Sequence, residues 1–202
     1  MSAAEGIVPD TKDWTWVIDS RCPECGFDAG ATPPTSVAAL IRENAELWPE
    51  VLGRPDVAQR PTPSVWSPLE YACHVRDVHR VFLERVQSML DQDAPEFANW
   101  DQDVAALEGD YAGRSPAVVA GELSAFADAV ATAYDEVPDH SDGDAAWQRS
   151  GLRSNGSAFT LATIAVYHLH DVVHHAWDVS ATLSATVASP GTSMPGTQDP
   201  QA

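Results

Sequence analysis

The sequence predicts an all-α fold, a four-helix bundle, on three observations. Four segments carry apolar residues at helical spacing, two of them open on a Ser-Pro start signal, and no segment alternates convincingly as a strand. At 202 residues the chain is long enough for one good core, and its length argues for one domain rather than two. The bundle is expected over residues 35–183. An irregular N-terminal extension, residues 1–34, packs on it, and a Ser/Thr/Pro/Gly-rich tail over 184–202 is expected to be disordered.

Residues 13–31 read as a non-helical lead-in. Trp14-Thr15-Trp16-Val17-Ile18 alternates weakly, and Cys22-Pro23-Glu24-Cys25-Gly26 turns. One Cys-x-x-Cys is a weak motif. A structural zinc knuckle needs two more ligands, and Cys73 lies far along the chain on a predicted helix. A redox pair would prefer to open a helix after a strand, and no βαβ pattern follows. A turn with idle thiols, a redox pair and a metal pair all stay open.

The first helix is expected over residues 35–52, with Thr35 or Ser36 as cap and Val37, Leu40, Ile41, Leu47, Trp48 and Val51 at helical spacing. A loop with Pro55, Pro61 and Pro63 leads to the strongest start signal in the chain: Ser67 as N-cap, Pro68 at the first helical position and Glu70 closing a capping box. This second helix runs to about Leu90. Tyr71, Val75, Val78, Phe82 and Met89 mark its inward face, His74 lies beside them, and Arg76, Asp77, Arg80 and Glu84 point elsewhere. Residues 91–113 are acidic and irregular around Phe97-Ala98-Asn99-Trp100-Asp101-Gln102-Asp103. A connection of that length is usually functional or locally structured. Ser115-Pro116 opens the third helix, which reaches about Val137 on the apolar line Val119, Leu123, Phe126, Val130, Ala133, Tyr134 and Val137. After a polar loop around Trp147, the fourth helix starts near Ser157 or Thr160 and reaches about Leu183. It is apolar nearly all round, with Asp171 and Asp178 on one narrow polar edge, so it is expected to be central. The loops are long enough that up-down-up-down order is not forced.

Composition excludes several classes. The net charge is −19 and Lys12 is the only lysine, while the arginines are scattered, so a nucleic-acid surface is not expected. No apolar run reaches the ~18 residues of a membrane span, and residues 1–13 have no basic or apolar stretch of a leader. Three cysteines fit a reducing compartment, so the expected location is cytoplasmic.

The chemistry is concentrated in Tyr167-His168-Leu169-His170-Asp171-Val172-Val173-His174-His175-Ala176-Trp177-Asp178, which holds four of the seven histidines. On a helix His170 and His174 lie about 40° apart around the axis and roughly 6 Å apart along it, within reach of one metal ion. His168 and His175 are separated by roughly 10 Å of rise, too far to share one ion. Two ligands are too few, and His74 on the buried side of the second helix is the best third. Three imidazoles leave a position open for water or substrate. Asp171 lies about 100° round the helix from His170 and is expected to cap, to form a salt bridge or to orient a ligand. His79 and His140 are expected to be hydrogen-bonded rather than ligating, and His168 and His175 to pack around the ligands.

Two of these segments carry a resemblance. Trp66-Ser67-Pro68-Leu69-Glu70-Tyr71-Ala72-Cys73-His74-Val75 looks like the second-helix motif of the DinB/YfiT-like metalloprotein superfamily, and His170-Asp171-Val172-Val173-His174-His175 resembles its final-helix His-x-x-x-His. The lead-in and the Asn99-Trp100-Asp101 loop look similar to an actinobacterial branch of small DinB-like proteins. The resemblance implies a four-helix bundle with metal ligands His74, His170 and His174. The ion would be divalent: zinc first, with nickel, iron or manganese as alternatives. Relatives include mycothiol-dependent maleylpyruvate isomerase and bacillithiol S-transferases, so the implied activity is a metal-dependent thiol S-transferase or isomerase using a low-molecular-weight thiol such as mycothiol. A metal-bound thiol is deprotonated and nucleophilic, which makes this physically sound. Tyr71, Trp100, Asp101 and Tyr167 are the pocket candidates. His175-Ala176-Trp177 departs from the Arg-Gly-Gln that follows the last ligand in many members, which bears on substrate class. The alternative is a non-catalytic metal-binding or stress-related protein, dimeric through exposed helix faces.

Overall fold

The computed structural model describes residue 7, residues 12–138 and residues 144–187. His140 and the tail beyond residue 187 lie outside the described residues. Seven helices are described: α1 (Val37–Ala45), α2 (Trp48–Leu52), α3 (Pro68–Asp91), α4 (Gln102–Glu108), α5 (Pro116–Asp135), α6 (Asp144–Trp147) and α7 (Leu161–Val187). The fold is all-α, a four-helix bundle built from α1, α3, α5 and α7, with a small sheet at one end. Around the bundle α5 packs between α1 and α3, and α7 closes the ring against the same two helices. Helices consecutive in sequence therefore sit diagonally across the bundle twice, from α1 to α3 and from α5 to α7. Long connections make such crossings feasible.

The predicted first helix is two helices. Pro49 lies in the first turn of α2. A proline ring clashes with the carbonyl four residues back, here that of Ala45, where α1 ends. The capping box on α3 is present in full: the Ser67 hydroxyl accepts from the Glu70 N–H at 3.3 Å, and the Glu70 carboxylate accepts from the Ser67 N–H at 2.8 Å. Arg60 holds the same carboxylate from outside. Thr160 and Thr163 cap α7 reciprocally, each hydroxyl accepting from the other's N–H.

Apolar stripes explain the packing. Val119, Leu123, Val130 and Tyr134 of α5 are buried together with Val75, Val78, Phe82 and Met89 of α3 and Leu169 and Val172 of α7. Helix α5 is long and apolar enough to cross a membrane by composition, yet in this fold it is a core helix, packed against α1 and α3. Asn44 braces the bundle from inside, donating to the Val172 carbonyl at 3.2 Å while accepting from the Trp48 indole at 3.3 Å.

Two features differ from the sequence expectation. Arg76 and Asp77 are buried, paired at 3.0 Å, with Tyr111 donating to Asp77 at 2.6 Å and Arg76 reaching Glu122. A buried ion pair satisfied on both sides is invisible to a polar-out helical wheel. The second is a three-stranded sheet, with β1 (Glu96–Phe97) parallel to β2 (Ser150–Arg153) and β2 antiparallel to β3 (Ala158–Thr160). These strands are too short to show a period. Gly151 permits the close packing: a Cβ there would meet Phe97 at 2.8 Å and Met89 at 2.9 Å. The sheet joins the two long loops and directs the chain into α7.

Candidate functional site

Three elements converge on α7: the middle of α3, the loop carrying Trp100, and the lead-in before α1. Seen from α3, the face of α7 presented is Asp171 and His175. His74 Nε2 lies 3.4 Å from Asp171 Oδ1, and His175 Nε2 lies 3.4 Å from the same oxygen. With metal–ligand bonds of about 2.1 Å, the edge of a coordination tetrahedron is about 3.4 Å, so these three donors are spaced to share one divalent ion. On the next face of α7, His170 and His174 meet Cys22 and Cys25 of the lead-in. All four donor atoms of that cluster lie within 4.8 Å of one another.

The structure thus divides the trio expected from sequence. His74 joins Asp171 and His175, whereas His170 and His174 face the two cysteines. Both pairs on α7 have the i, i+4 spacing that lets two side chains reach one ion, and they are offset by one residue, about 100° of helix. Spacing alone therefore cannot choose between them. The choice is made by the rotation of α7, which burial of Leu169, Val172 and Val179 fixes. Asp171 and His175 are thereby brought beside His74, where the three could hold an ion.

The far ring nitrogens of the two histidines differ: His175 Nδ1 has a carboxylate partner, whereas His74 Nδ1 is buried without one. His175 Nδ1 lies 2.9 Å from Asp178 Oδ2, which directs an N–H there; in the neutral ring the Nε2 lone pair then faces Asp171, and in the charged ring both nitrogens donate to carboxylates. A lone pair held against a carboxylate oxygen is repulsive unless a cation or proton lies between them. Burial pushes His74 below its ordinary range, toward the neutral form a ligand needs. Burial acts to raise the Asp171 carboxyl, but the hydrogen bond and charge of His74, with His175 and His168, hold it well below the usual range. Trp66 and Trp100 flank the His74 ring at 5.3 and 5.4 Å. Such apolar walls strengthen any charge interaction between them.

This donor set opens into a cavity of about 780 Å³, a size suited to a small-molecule ligand. Tyr71, Trp100, Asp101 and Tyr167 all line it, as do Asp171 and His175. Asp101 also caps α4, accepting from the N–H groups of Asp103 and Val104. Sequence reasoning missed Arg85 and Arg153, which line the same cavity. Neither forms an ion pair with a carboxylate among the described residues. Arg85 donates to the Ala98 carbonyl at 3.3 Å, and burial, reinforced by the Arg153 charge, pulls its guanidinium down to about 10. Arg153 is held by β2 and reaches Ser157 at 3.5 Å. No sequence signal marks them, because Arg85 on α3 and Arg153 on β2 are far apart in the chain and meet only through tertiary packing.

The remaining histidines form a separate core chain. Tyr134 lies 3.3 Å from His168 Nδ1, and His168 Nε2 lies 3.0 Å from His79 Nδ1. Burial pushes His79 down to about 4, and burial with the His79 charge pushes His168 well below its ordinary range. Neutral rings relayed in one direction satisfy the contacts between Tyr134, His168 and His79, leaving His79 Nε2 buried without a partner, and no further metal-ligating side chain joins them among the described residues. Cys73 is also inert: buried against the Tyr111 carbonyl, its thiol is pushed up to about 12.

A helical bundle carrying two clusters of metal-ligating side chains defines a class, that of bundle proteins equipped to hold metal. Within it, this chain belongs to the DinB superfamily, whose family profile matches residues 42–179. Among solved structures the chain is similar to YfiT from Bacillus subtilis, described as a probable metal-dependent hydrolase with an unusual four-helix bundle topology. The TM-score is 0.60 at 15% identity, over 75% of this chain and 86% of that one, so the likeness is one of fold. No curated protein sequence matches the chain.

Proposed function

We propose that this protein is a metal-dependent enzyme acting on small anionic molecules, transferring a low-molecular-weight thiol such as mycothiol or isomerising a substrate through it. The observation that carries the reading is the donor set His74, Asp171 and His175, of which Asp171 and His175 line the same cavity as Arg85 and Arg153 while His74 lies buried behind them. Two imidazoles and a carboxylate suit zinc or another first-row divalent ion and leave a position for an exogenous ligand. An ion held there supplies Lewis acidity, lowering the pKa of a thiol or water that joins it.

The chain's own groups supply the rest. Asp178 fixes the tautomer of His175. Arg85 and Arg153 provide planar donors matched to a carboxylate or phosphate. Asp13, Asp101, Asp103 and Asp178 also line the cavity, and the Asp13 charge interacts with Arg153, which leaves Arg85 as the guanidinium more open to an anion. Burial raises the Tyr71 and Tyr167 hydroxyls, so both stay protonated and can donate to a bound anion. Trp66, Trp100 and Trp14 wall the cavity and limit water.

A second reading, hydrolysis, is favoured by the same open position, which would accept water as readily as a thiol, and by what YfiT is described as. One experiment separates them. Zinc-loaded protein is given mycothiol, cysteine or glutathione together with a panel of carboxylated electrophiles, esters and amides, and thiol consumption and products are followed. An S-conjugate, or a thiol-dependent isomer, supports the first reading; product formed without any thiol supports hydrolysis. Arg85→Met should raise KM for carboxylated substrates about tenfold or more with kcat less affected, as for the loss of one charged hydrogen-bond partner. Absence of turnover in every arm by protein shown to hold metal at His74 would leave a non-catalytic metal-binding protein.

A further inference from the structure

We infer that Cys22, Cys25, His170 and His174 form a second metal site, a closed Cys2His2 zinc centre that clamps the N-terminal lead-in onto α7. It is independent of the open site and of any activity there.

Four features of the structure carry the assignment. The first is the ligand set: two thiols two residues apart and two imidazoles four residues apart, with all four donor atoms within 4.8 Å of one another. A zinc tetrahedron with bonds of about 2.3 Å to sulfur and about 2.05 Å to nitrogen has a sulfur–nitrogen edge of about 3.6 Å. Cys22 Sγ and His174 Nδ1 stand 3.7 Å apart.

The second is the state of the ring nitrogens. His170 Nε2 is buried with no hydrogen-bond partner, on a side chain only 3% exposed. An orphaned buried nitrogen is costly, and a metal satisfies it. His174 presents Nδ1 to the thiols, while its Nε2 faces Glu24 Oε2 at 3.5 Å. A carboxylate on the far nitrogen is the usual partner of a zinc-bound histidine, and here it comes from within the Cys-x-x-Cys turn itself.

The third is the backbone. Cys22 donates to the Phe27 carbonyl at 2.8 Å and Gly26 donates to the Cys22 carbonyl at 3.0 Å, so residues 22–27 close a tight turn. Gly26 holds φ at +79°, which glycine adopts without strain. The turn brings both thiols to the same cluster. Both cysteines are free rather than joined.

The fourth is the shell. The Trp14 ring lies 5.6 Å from His170 and 5.0 Å from His174, and Phe27 packs edge-on to His170 at 5.6 Å. Four protein ligands in an apolar shell leave no position for substrate, which is the mark of a structural centre. Because Lys12, Asp13 and Trp14 also line the large cavity, the clamp fixes one of its walls.

The test uses the full chain purified without a histidine tag, with Zn²⁺ and Co²⁺ as probes. Wild type should bind two equivalents of zinc, one for each donor set. Cys25→Ser and Cys22→Ser should each drop the content to one, and His74→Ala should also drop it to one, but by losing the other ion. The Co²⁺-substituted wild type should show a sulfur-to-cobalt charge-transfer band in the near ultraviolet. His74→Ala should keep that band, and Cys25→Ser should lose most of it. Should the cysteine variants fail to fold, the wild-type cobalt spectrum decides alone. A single equivalent of zinc with no sulfur-to-cobalt band overturns the assignment, as does recovery of Cys22 and Cys25 as a disulfide in protein purified under reducing conditions. Loss of the open site leaves this result unaffected, so the two readings fail separately.

Discussion

Acid should destabilise this protein through its core before it reaches most carboxylates, and His79 allows the effect to be isolated. His79 is fully buried, and burial lowers it from the ordinary 6.5 to about 4. The folded state therefore binds fewer protons than the unfolded state wherever pH lies between those values. Its contribution is fully present above about pH 6.5 and is lost progressively as pH falls toward 4. Integrating the linkage relation between these pKa values gives a loss of about 2 kcal/mol at pH 5 from this one ring. His79→Asn removes the titration while keeping an acceptor for His168 Nε2, which lies 3.0 Å from the native ring. Stability by urea unfolding, followed by circular dichroism at pH 7 and pH 5, should fall by about 2 kcal/mol less in the variant than in the wild type. The metal-ligating histidines are common to both proteins, so their response to acid cancels in the difference. Equal losses in the two proteins would show that His79 is not held neutral by its burial.

Two further outcomes test particular contacts. Ser67→Ala removes the acceptor for the Glu70 N–H at the start of α3 and should lower unfolding stability by about 1 kcal/mol; an unchanged urea midpoint would mean that the Arg60–Glu70 pair alone holds that end. Asp178→Ala frees the His175 ring, and a competitive chelator titration should show the ion at the open site bound about 10–100-fold more weakly, with the cysteine-bound ion unaffected. A uniform weakening of both ions would point to general disruption of α7 instead.

The sequence and the structure part company where a choice depends on how one helix is turned. The bundle was legible because its signals are local: Ser67, Pro68 and Glu70 announce the start of α3, and the apolar lines of α5 and α7 match their buried faces. The break at Pro49 was legible in principle, since the residue is in plain view; the apolar spacing on either side of it concealed the break. The candidate ligands were found as a set, but the structure groups them differently: His74 lies with Asp171 and His175, and His170 and His174 lie with Cys22 and Cys25. His170/His174 and Asp171/His175 are equivalent on a helical wheel, and imidazole is the more familiar ligand, so the histidine pair was favoured for His74. Two clues were available together. A Cys-x-x-Cys turn lacks two ligands, and a surplus His-x-x-x-His offers two. The arginines of the cavity had no such clue, because Arg85 on α3 and Arg153 on β2 share a cavity only through tertiary contacts.

That pairing also assigns different work to two adjacent faces of one helix. Zinc held by two thiolates and two neutral imidazoles carries no net charge and has a full tetrahedron, so it can be buried at little electrostatic penalty and has no reason to exchange. Zinc held by two imidazoles and one carboxylate keeps a positive charge and an open position. It therefore favours a fourth ligand that is itself anionic, such as a thiolate or hydroxide. On the proposed assignment the neutral, closed centre would sit against Trp14 and Phe27 and anchor the lead-in, and the charged, open one would sit beside Arg85 and Arg153, with His170, His174, Asp171 and His175 all on the wall of one cavity. Offsetting the two i, i+4 pairs by a single residue lets α7 serve both, since about 100° of rotation points them to opposite tasks while one backbone fixes their separation. An insertion of one residue between Val172 and Val173 should accordingly disrupt both centres at once, because each pair straddles that point.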